Sequence, residues 1–286
     1  MALPASGTIS FSQISVELGE GATSTRSLND STTRTLFGIG SGAISMSNGY
    51  GKANQFAFSI TSAQTNANLR TLAVNAGWDQ STKVIATINS GVVMTSNTVG
   101  TPGLTINGAW PSGIELVNDG TIVGRGGNGG AGNSGGGSVG GLALTISVAA
   151  SIRNNGTIAG GGGGGGGGGK FTLVGGNPKD PTYNYYGGGG GGGGRSSNTN
   201  SSGGGGGAPG GAAGGTGTFS SQGGGGAGLS GTARGGNGGG WGSGGAGGAR
   251  YSNGAPGGGG GGAGPATSGQ GNVTWLATGT RLGPLG

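Results

Sequence analysis

The chain has 286 residues, of which 86 are glycine and only 7% are charged, a composition that excludes an ordinary globular enzyme along its whole length. With neither Cys nor His, thiol nucleophiles, disulfides, imidazole bases and the usual zinc sites are excluded too. The net charge of +6 is uneven: residues 1–119 hold 14 glycines, five Lys/Arg and six Asp/Glu, leaving 72 glycines, eight Lys/Arg and one Asp for the rest. Those eight cations are scattered singly, not clustered as a phosphate-tracking groove requires, so nucleic acid is not expected as a partner.

The seven carboxylates, Glu17, Glu20, Asp30, Asp79, Glu115, Asp119 and Asp180, are spread along the chain; no enzyme activity, cofactor or metal is expected. No apolar run reaches membrane-spanning length and no signal peptide opens the sequence, which leads to the expectation of a soluble product made in the cytoplasm.

In chain order, residues 1–53 contain an echo: Ser6 to Ser12 (SGTISFS) and Ser41 to Ser47 (SGAISMS) lie 35 positions apart. Each alternates apolar and small polar residues like a half-buried strand, with Ser12 or Ser47 placed to cap a short helical turn. Between them, Ser27 to Gly38 suits a short helix ending on glycine. Residues 54–123 have ordinary composition. Gln55 to Thr61, Lys83 to Ile88 and Gly91 to Thr95 read as strands, Asn68 to Ala76 as a helix, and Trp78 as core.

A second repeat crosses into the glycine-rich half. Leu116 to Gly124 (LVNDGTIVG) and Ile152 to Gly160 (IRNNGTIAG) align at a spacing of 36, each preceded by a Leu-Thr-Ile. The Asp-Gly and Asn-Gly pairs suit a tight hairpin; a rung of a β-solenoid would give similar text. Asn272 to Thr278 reads as a closing strand.

Within 124–286 the non-glycine residues fall on a period of three: Arg125, Asn128, Ala131 and Ser134, then Arg234, Asn237, Ser243, Ala246 and Ala249. That period matches an extended helix of about three residues per turn with no internal hydrogen bonds. Its N–H and C=O groups must find neighbours, and glycine lets a neighbouring backbone approach. A segment buried on all sides must be pure glycine, like the ten consecutive glycines at 160–169. The expected fold is therefore mostly β and irregular: small α+β N-terminal (1–53) and middle (54–123) domains, then a glycine-rich domain (124–286) built as a polyglycine-II helix bundle or sandwich, closed by a C-terminal strand.

The patterns Ile9 to Ile14, Glu17 to Gly19, Ser27 to Asp30 and Ser41 to Gly51 resemble the N-terminal segment of tailed-bacteriophage tail-fibre and tail-tip proteins. Asn68 to Trp78 followed by Ala86 to Gly91 is similar to a segment preceding glycine-rich regions in phage tail proteins. The glycine runs themselves resemble the tip adhesins of long tail fibres. The resemblance implies a virion protein that attaches to other tail proteins through residues 1–53 and binds a bacterial outer-membrane protein or surface polysaccharide. The alternative is a structural tail-tip or baseplate element with the glycine region as spacer. Trimeric fibres are common among phages, so a homotrimer is an open option, although no heptad marks one.

If consecutive glycine runs are antiparallel, segments 170–186, 218–222 and 249–253 gather at one end, and 195–202 and 229–234 at the other. The first set carries the candidate receptor-binding residues Phe171, Lys179, Tyr183, Tyr185, Tyr186, Phe219, Arg250 and Tyr251, because Tyr and Arg give large, directional contact surfaces. The apparent phosphate loop at Gly164 to Lys170 has Phe171 where Ser or Thr is required and is dismissed.

Overall fold

The computed structural model describes residues 2–177, 180–229, 233–251 and 254–286. The N-terminal segment forms α1 (Phe11–Glu17), α2 (Ser31–Phe37) and a 3-10 turn (Met46–Gly49) around Leu3, Ile9, Ile14, Leu36 and Phe37. The echo is one capping device used twice. The N–H of Ser10 donates to Gln13 Oε1 at 2.8 Å, and the N–H of Ser45 donates to Asn48 Oδ1 at 2.8 Å. The cap thus falls on Ser10 and Ser45, two residues before the expected Ser12 and Ser47, and the preceding residues form no strand. A capping side chain must sit just ahead of the first free N–H groups, which places it at the start of the Ser-x-Ser motif. Gly38 closes α2 in the left-handed region at φ 72.

From Gln55 onward the chain winds into stacked coils. The first coil holds β1 (Gln55–Ile60), β2 (Gln64–Thr65), β3 (Ala67–Asn68) and then α3 (Leu69–Asn75). The second holds β4 (Lys83–Ile88), β5 (Val93–Thr95) and β6 (Leu104–Ile106); the third, β7 (Ile114–Asn118), β8 (Thr121–Val123) and β9 (Leu144–Ile146). After β10 (Ala150–Asn154) and β11 (Thr157–Ala159) come the long glycine region and its hairpin, β12 (Phe171–Asn177) and β13 (Asp180–Tyr186). The chain returns as β14 (Thr267–Ser268), β15 (Val273–Ala277) and β16 (Thr280–Leu282).

Fourteen of these strands form three parallel sheets, in the orders β1-β4-β7-β10-β15, β16-β11-β8-β5-β2 and β14-β9-β6-β3; β12 and β13 pair antiparallel by themselves. This corrects the expected fold class: the architecture is a largely parallel-sheet body, not α+β domains followed by a polyglycine-II sandwich. Strand alternation shows in a local window, but a parallel partner is a whole coil away in sequence and leaves no local mark. The second repeat is a solenoid rung, with Asn118 beside Asn154 and Ile122 beside Ile158 in register.

The inner strands of the three sheets bury one face. Val84, Ala86 and Ile88 from β4, Leu116 from β7, Ile152 from β10, Met94, Ile122, Leu104, Ile106, Leu144 and Ile146 fill the centre of the coils. Leu69 and Ala73 of α3 join that core. Trp78 is buried as expected, stacks on Trp110 at 4.8 Å and donates its Nε1–H to Thr82 O at 2.9 Å.

At the corner after the first sheet, polar side chains stack from coil to coil. Asn118 Nδ2–H donates to Asn154 Oδ1 at 2.7 Å, and Asn154 Nδ2–H passes on to Thr278 O at 2.7 Å. Both Asn residues are fully buried. Replacing Asn154 by Ala removes the 2.7 Å acceptor of the buried Asn118 amide, which keeps only its longer bond to Thr157 O at 3.3 Å, and removes the donor to Thr278 O, so Asn154→Ala should lower unfolding free energy by about 1–3 kcal/mol. The adjacent exposed Asn155→Ala should cost under about 0.5 kcal/mol, both measured by denaturant unfolding.

Candidate functional site

The glycine-rich segments 124–143 and 160–266 both leave the coils between the second and third sheets, from β8 to β9 and from β11 to β14. They are therefore long excursions from one edge of the solenoid. Their mutual contacts follow a threefold rule. Along the run 160–169, the N–H groups of Gly161, Gly164 and Gly167 donate to Gly141, Ser138 and Gly135; those of Gly162, Gly165 and Gly168 donate to Arg195, Gly192 and Gly189; those of Gly163, Gly166 and Gly169 donate to Ser243, Ala246 and Ala249. The nine distances run from 2.7 to 3.0 Å. Carbonyls of the same run accept from Gly127 and Gly130, from Gly236 and Gly239, and from Gly258 and Gly261. Six neighbouring segments thus surround one run, and every residue of 160–169 is buried.

No side chain fits there. A Cβ on Gly164 would land on Asn128 O, one on Gly165 on Gly236 O, and one on Gly166 on Gly258 O. The period-three residues of the sequence sit on outer segments: Asn128, Ala131, Asn237 and Ala246 serve backbone bonds while their side chains lie at the periphery.

Where the segments turn decides the site. The end near the solenoid holds turns 195–202, 218–222 and 241–243. Ser197 Oγ–H donates to Ser96 O of the second coil, and Gly242 N–H donates to Gly160 O at 2.8 Å. Arg195 lies over the Trp241 ring at 3.7 Å, Phe219 meets Trp241 edge-on at 4.9 Å, and Arg195 Nε–H donates to Phe219 O at 2.9 Å.

The far end gathers turns 131–135 and 208–210, Leu229, Ala233 and Arg234, and Arg250, Tyr251 and Gly254, with the β12–β13 hairpin. Asn133 Nδ2–H donates to Ala208 O at 3.2 Å while its Oδ1 accepts from Gly188 N–H at 3.0 Å. Leu229 N–H donates to Gly187 O at 3.1 Å and Ala255 N–H to Lys170 O at 3.0 Å.

Of the residues singled out in the sequence, Phe171 and Tyr251 meet at this far end as a parallel stack, 4.5 Å apart with 9° between the rings. Arg250 is exposed beside them and donates Nε–H to Gly254 O at 3.3 Å. Tyr183, Tyr185 and Tyr186 lie on β13, in register with Val174, Thr172 and Phe171. Lys179 lies outside the described residues. Phe219 is at the opposite end, against Trp241.

The misplacement of Phe219 has a specific cause. The stretch 203–217 is two runs joined at Ala208-Pro209-Gly210, as Gly214 N–H to Gly204 O at 2.9 Å and Gly211 N–H to Gly207 O at 2.8 Å demonstrate. A second unforeseen turn at Trp241-Gly242 restores the parity, so Arg250 and Tyr251 of the segment 249–253 fall at the expected end, whereas Leu229, Ala233 and Arg234 of 229–234 do not. The Ala-Pro-Gly triplet was a usable turn signal. Asn133 and Arg234 at the far end carried no comparable mark.

Elsewhere, a cavity of about 540 Å³ lies between the N-terminal segment and the first coils, lined by Thr35, Lys52, Phe56, Asp79 and Ser112 among others. Burial pushes the Asp79 carboxyl up, but N–H and O–H donors from Thr82 and Ser81 outweigh it and hold the pKa at about 2. Of the two carboxylates nearest in sequence, Glu17 is buried and accepts Asn54 N–H at 2.9 Å, and Glu20 is ion-paired with Arg26. Among the described residues no group of three or more acidic side chains could hold a metal ion.

Residues 55–179, the solenoid coils and the first part of the glycine region, match the family model described as phage tail fibre adhesin Gp38. Over these residues, somewhat under half of the chain, it is thus similar to phage tail-fibre adhesins, which are components of the virion tail. Among solved structures, the chain resembles the gp37-gp38 adhesin tip complex of the bacteriophage S16 long tail fibre. It is 26% identical, with a TM-score of 0.58 over 89% of this chain and 92% of that one. None of the curated proteins matches the chain.

The contact pattern separates two kinds of glycine. Gly165→Ala forces a methyl group into the Gly236 carbonyl and should cost about 3 kcal/mol or more. Gly259→Ala, where a Cβ would meet nothing within 4 Å, should be neutral or stabilise by up to about 1 kcal/mol through the unfolded chain. Thermal unfolding of the two variants side by side checks the contrast.

Proposed function

We propose that this tail adhesin binds a bacterial cell-surface receptor, an outer-membrane protein or polysaccharide, through the far end of its glycine-rich region, and that it does so without catalysis. The observation that carries this reading is the division of labour between the two ends. Arg195, Trp241, Phe219 and Ser197 are engaged in seating the glycine segments on the solenoid. The β12–β13 hairpin, Lys170, Arg250 and the Phe171–Tyr251 stack lie at the end that has no such duty. Tyr and Arg there provide rigid contact area and directional hydrogen bonding. Phe171, Tyr183, Tyr185, Tyr186, Arg250 and Tyr251 are the contact residues; Lys179, outside the described residues, is counted with them on its sequence alone.

Residues 1–53 serve as the attachment to another tail protein. α1 exposes Phe11 at 40% and Val16 at 51%, beside a cleft of about 260 Å³ lined by Leu3, Pro4, Gln13 and Val16. Exposed apolar surface next to a cleft is what a protein partner covers. The related S16 structure is itself a complex of two tail proteins.

Replacing 171–186 by a short Gly-Ser turn should abolish adsorption to susceptible cells while the variant is still incorporated into particles, scored by cell-binding and by particle composition. Normal adsorption by that variant would favour the second reading, a spacer, and Val16→Asp should instead lower incorporation with cell binding of the free protein unchanged.

A further inference from the structure

Resting on the receptor-binding reading, we infer that the far end is built to meet an acidic stretch of receptor polypeptide, through Lys170, Arg234 and Arg250. Three backbone bonds set these residues side by side. Gly169 N–H donates to Ala249 O at 3.0 Å, Ala249 N–H to Arg234 O at 2.8 Å, and Ala255 N–H to Lys170 O at 3.0 Å. The cations therefore stand on adjoining segments at one level, where the glycine region ends, and all three residues are exposed.

Among the described residues no ion pair involves any of the three. The ion pairs found among the described residues, Arg26–Glu20, Lys83–Glu115 and Arg153–Glu115, all lie in the N-terminal segment or the coils. After Asp119 the sequence supplies a single carboxylate, Asp180, opposite Asn177 at the closed end of the hairpin. The cations of the other end are used differently: Arg195 covers Trp241, and Arg125 Nη2–H donates to Asn200 O at 3.2 Å.

Like charges held on rigid neighbouring chains raise each other's energy, and an anionic partner relieves that repulsion. Guanidinium groups bind anionic oxygens bidentately whether peptide or glycan presents them; the feature that favours polypeptide is the β12–β13 hairpin, which pairs with no other strand among the described residues, so its edges can accept an extended segment by strand addition.

The test measures association of the full-length protein with immobilised outer-membrane vesicles from susceptible cells, at salt from roughly 0.05 to 0.5 M. The wild-type association rate should fall about tenfold or more across that range. The triple variant Lys170→Ala, Arg234→Ala, Arg250→Ala should associate about tenfold more slowly at low salt and lose most of the salt dependence, whereas Arg281→Ala should behave as wild type. If the triple variant melts early, Arg234→Gln alone is read, with a several-fold slowing expected. A salt-independent wild-type rate, or an unchanged rate in the variants, overturns the inference while leaving receptor binding intact. So does binding that survives protease shaving of the vesicles and disappears with their surface glycan. Wild-type protein that binds no vesicles from susceptible cells sinks the receptor-binding reading itself.

Discussion

Everything distal to the coils depends on one constraint: two backbones can hydrogen-bond from every direction only where neither carries a Cβ facing the other. The run 160–169 meets it fully, with nine successive N–H groups bonded to three different segments. A net contribution of about 0.5–1.5 kcal/mol per hydrogen bond stands against about 1–2 kcal/mol of backbone entropy per ordered residue, and glycine loses more than most. Such a lattice gains little by itself. A residue that both donates and accepts, like Gly165, comes closest to offsetting its own ordering, and the outermost runs do not. The region therefore depends on being grafted to something that folds for another reason.

The solenoid is that support. Its centre is apolar, and each buried Leu, Ile or Val contributes about 1.5–3 kcal/mol, which ordinary sheet pairing then positions. Because β8 leads out to the glycine segments and β9 leads back in, and β11 and β14 do the same one coil further, both ends of each excursion are held a fixed distance apart. Arg195, Trp241 and Phe219 form the polar and aromatic joint between the two materials. Trp241, at the turn that interrupts the glycines 238–245, belongs to this joint and also donates its Nε1–H to Ser196 O at 3.1 Å.

Local elements were legible wherever a side chain has a nearby reason. Asn68 caps α3 and Gly38 ends α2, and alternation marks β1 and β4. The sheet arrangement was not, because the partner of Lys83 is Gln55 and that of Asn118 is Asn154. The repeated Asn-(Asp/Asn)-Gly-Thr-Ile text held the answer ambiguously. What distinguishes rung from hairpin is the buried amide ladder, which exists only once the coils are stacked. In the far-end site, Phe171 and Tyr251 were legible through composition. Phe219 was not, since a single overlooked turn at Ala208-Pro209-Gly210 reverses the direction of the run that follows it.

A core made of main chain has a consequence for how such a tip can change. In a hydrophobic core, each loop is anchored by side chains that also pack the interior, so altering the loop disturbs the packing. Here the segments that lead into the far-end turns contact one another through atoms common to every residue. Tyr251, Lys170 and the hairpin follow glycines whose bonds, such as Gly169 to Ala249, are indifferent to what comes next in sequence. Apart from turn 131–135, where the side chains of Asn133 and Ser134 bond neighbouring segments, the turns are then constrained more by where they begin and end than by which residues they contain. A surface of that kind can exchange its aromatic and charged groups without reworking the lattice behind them.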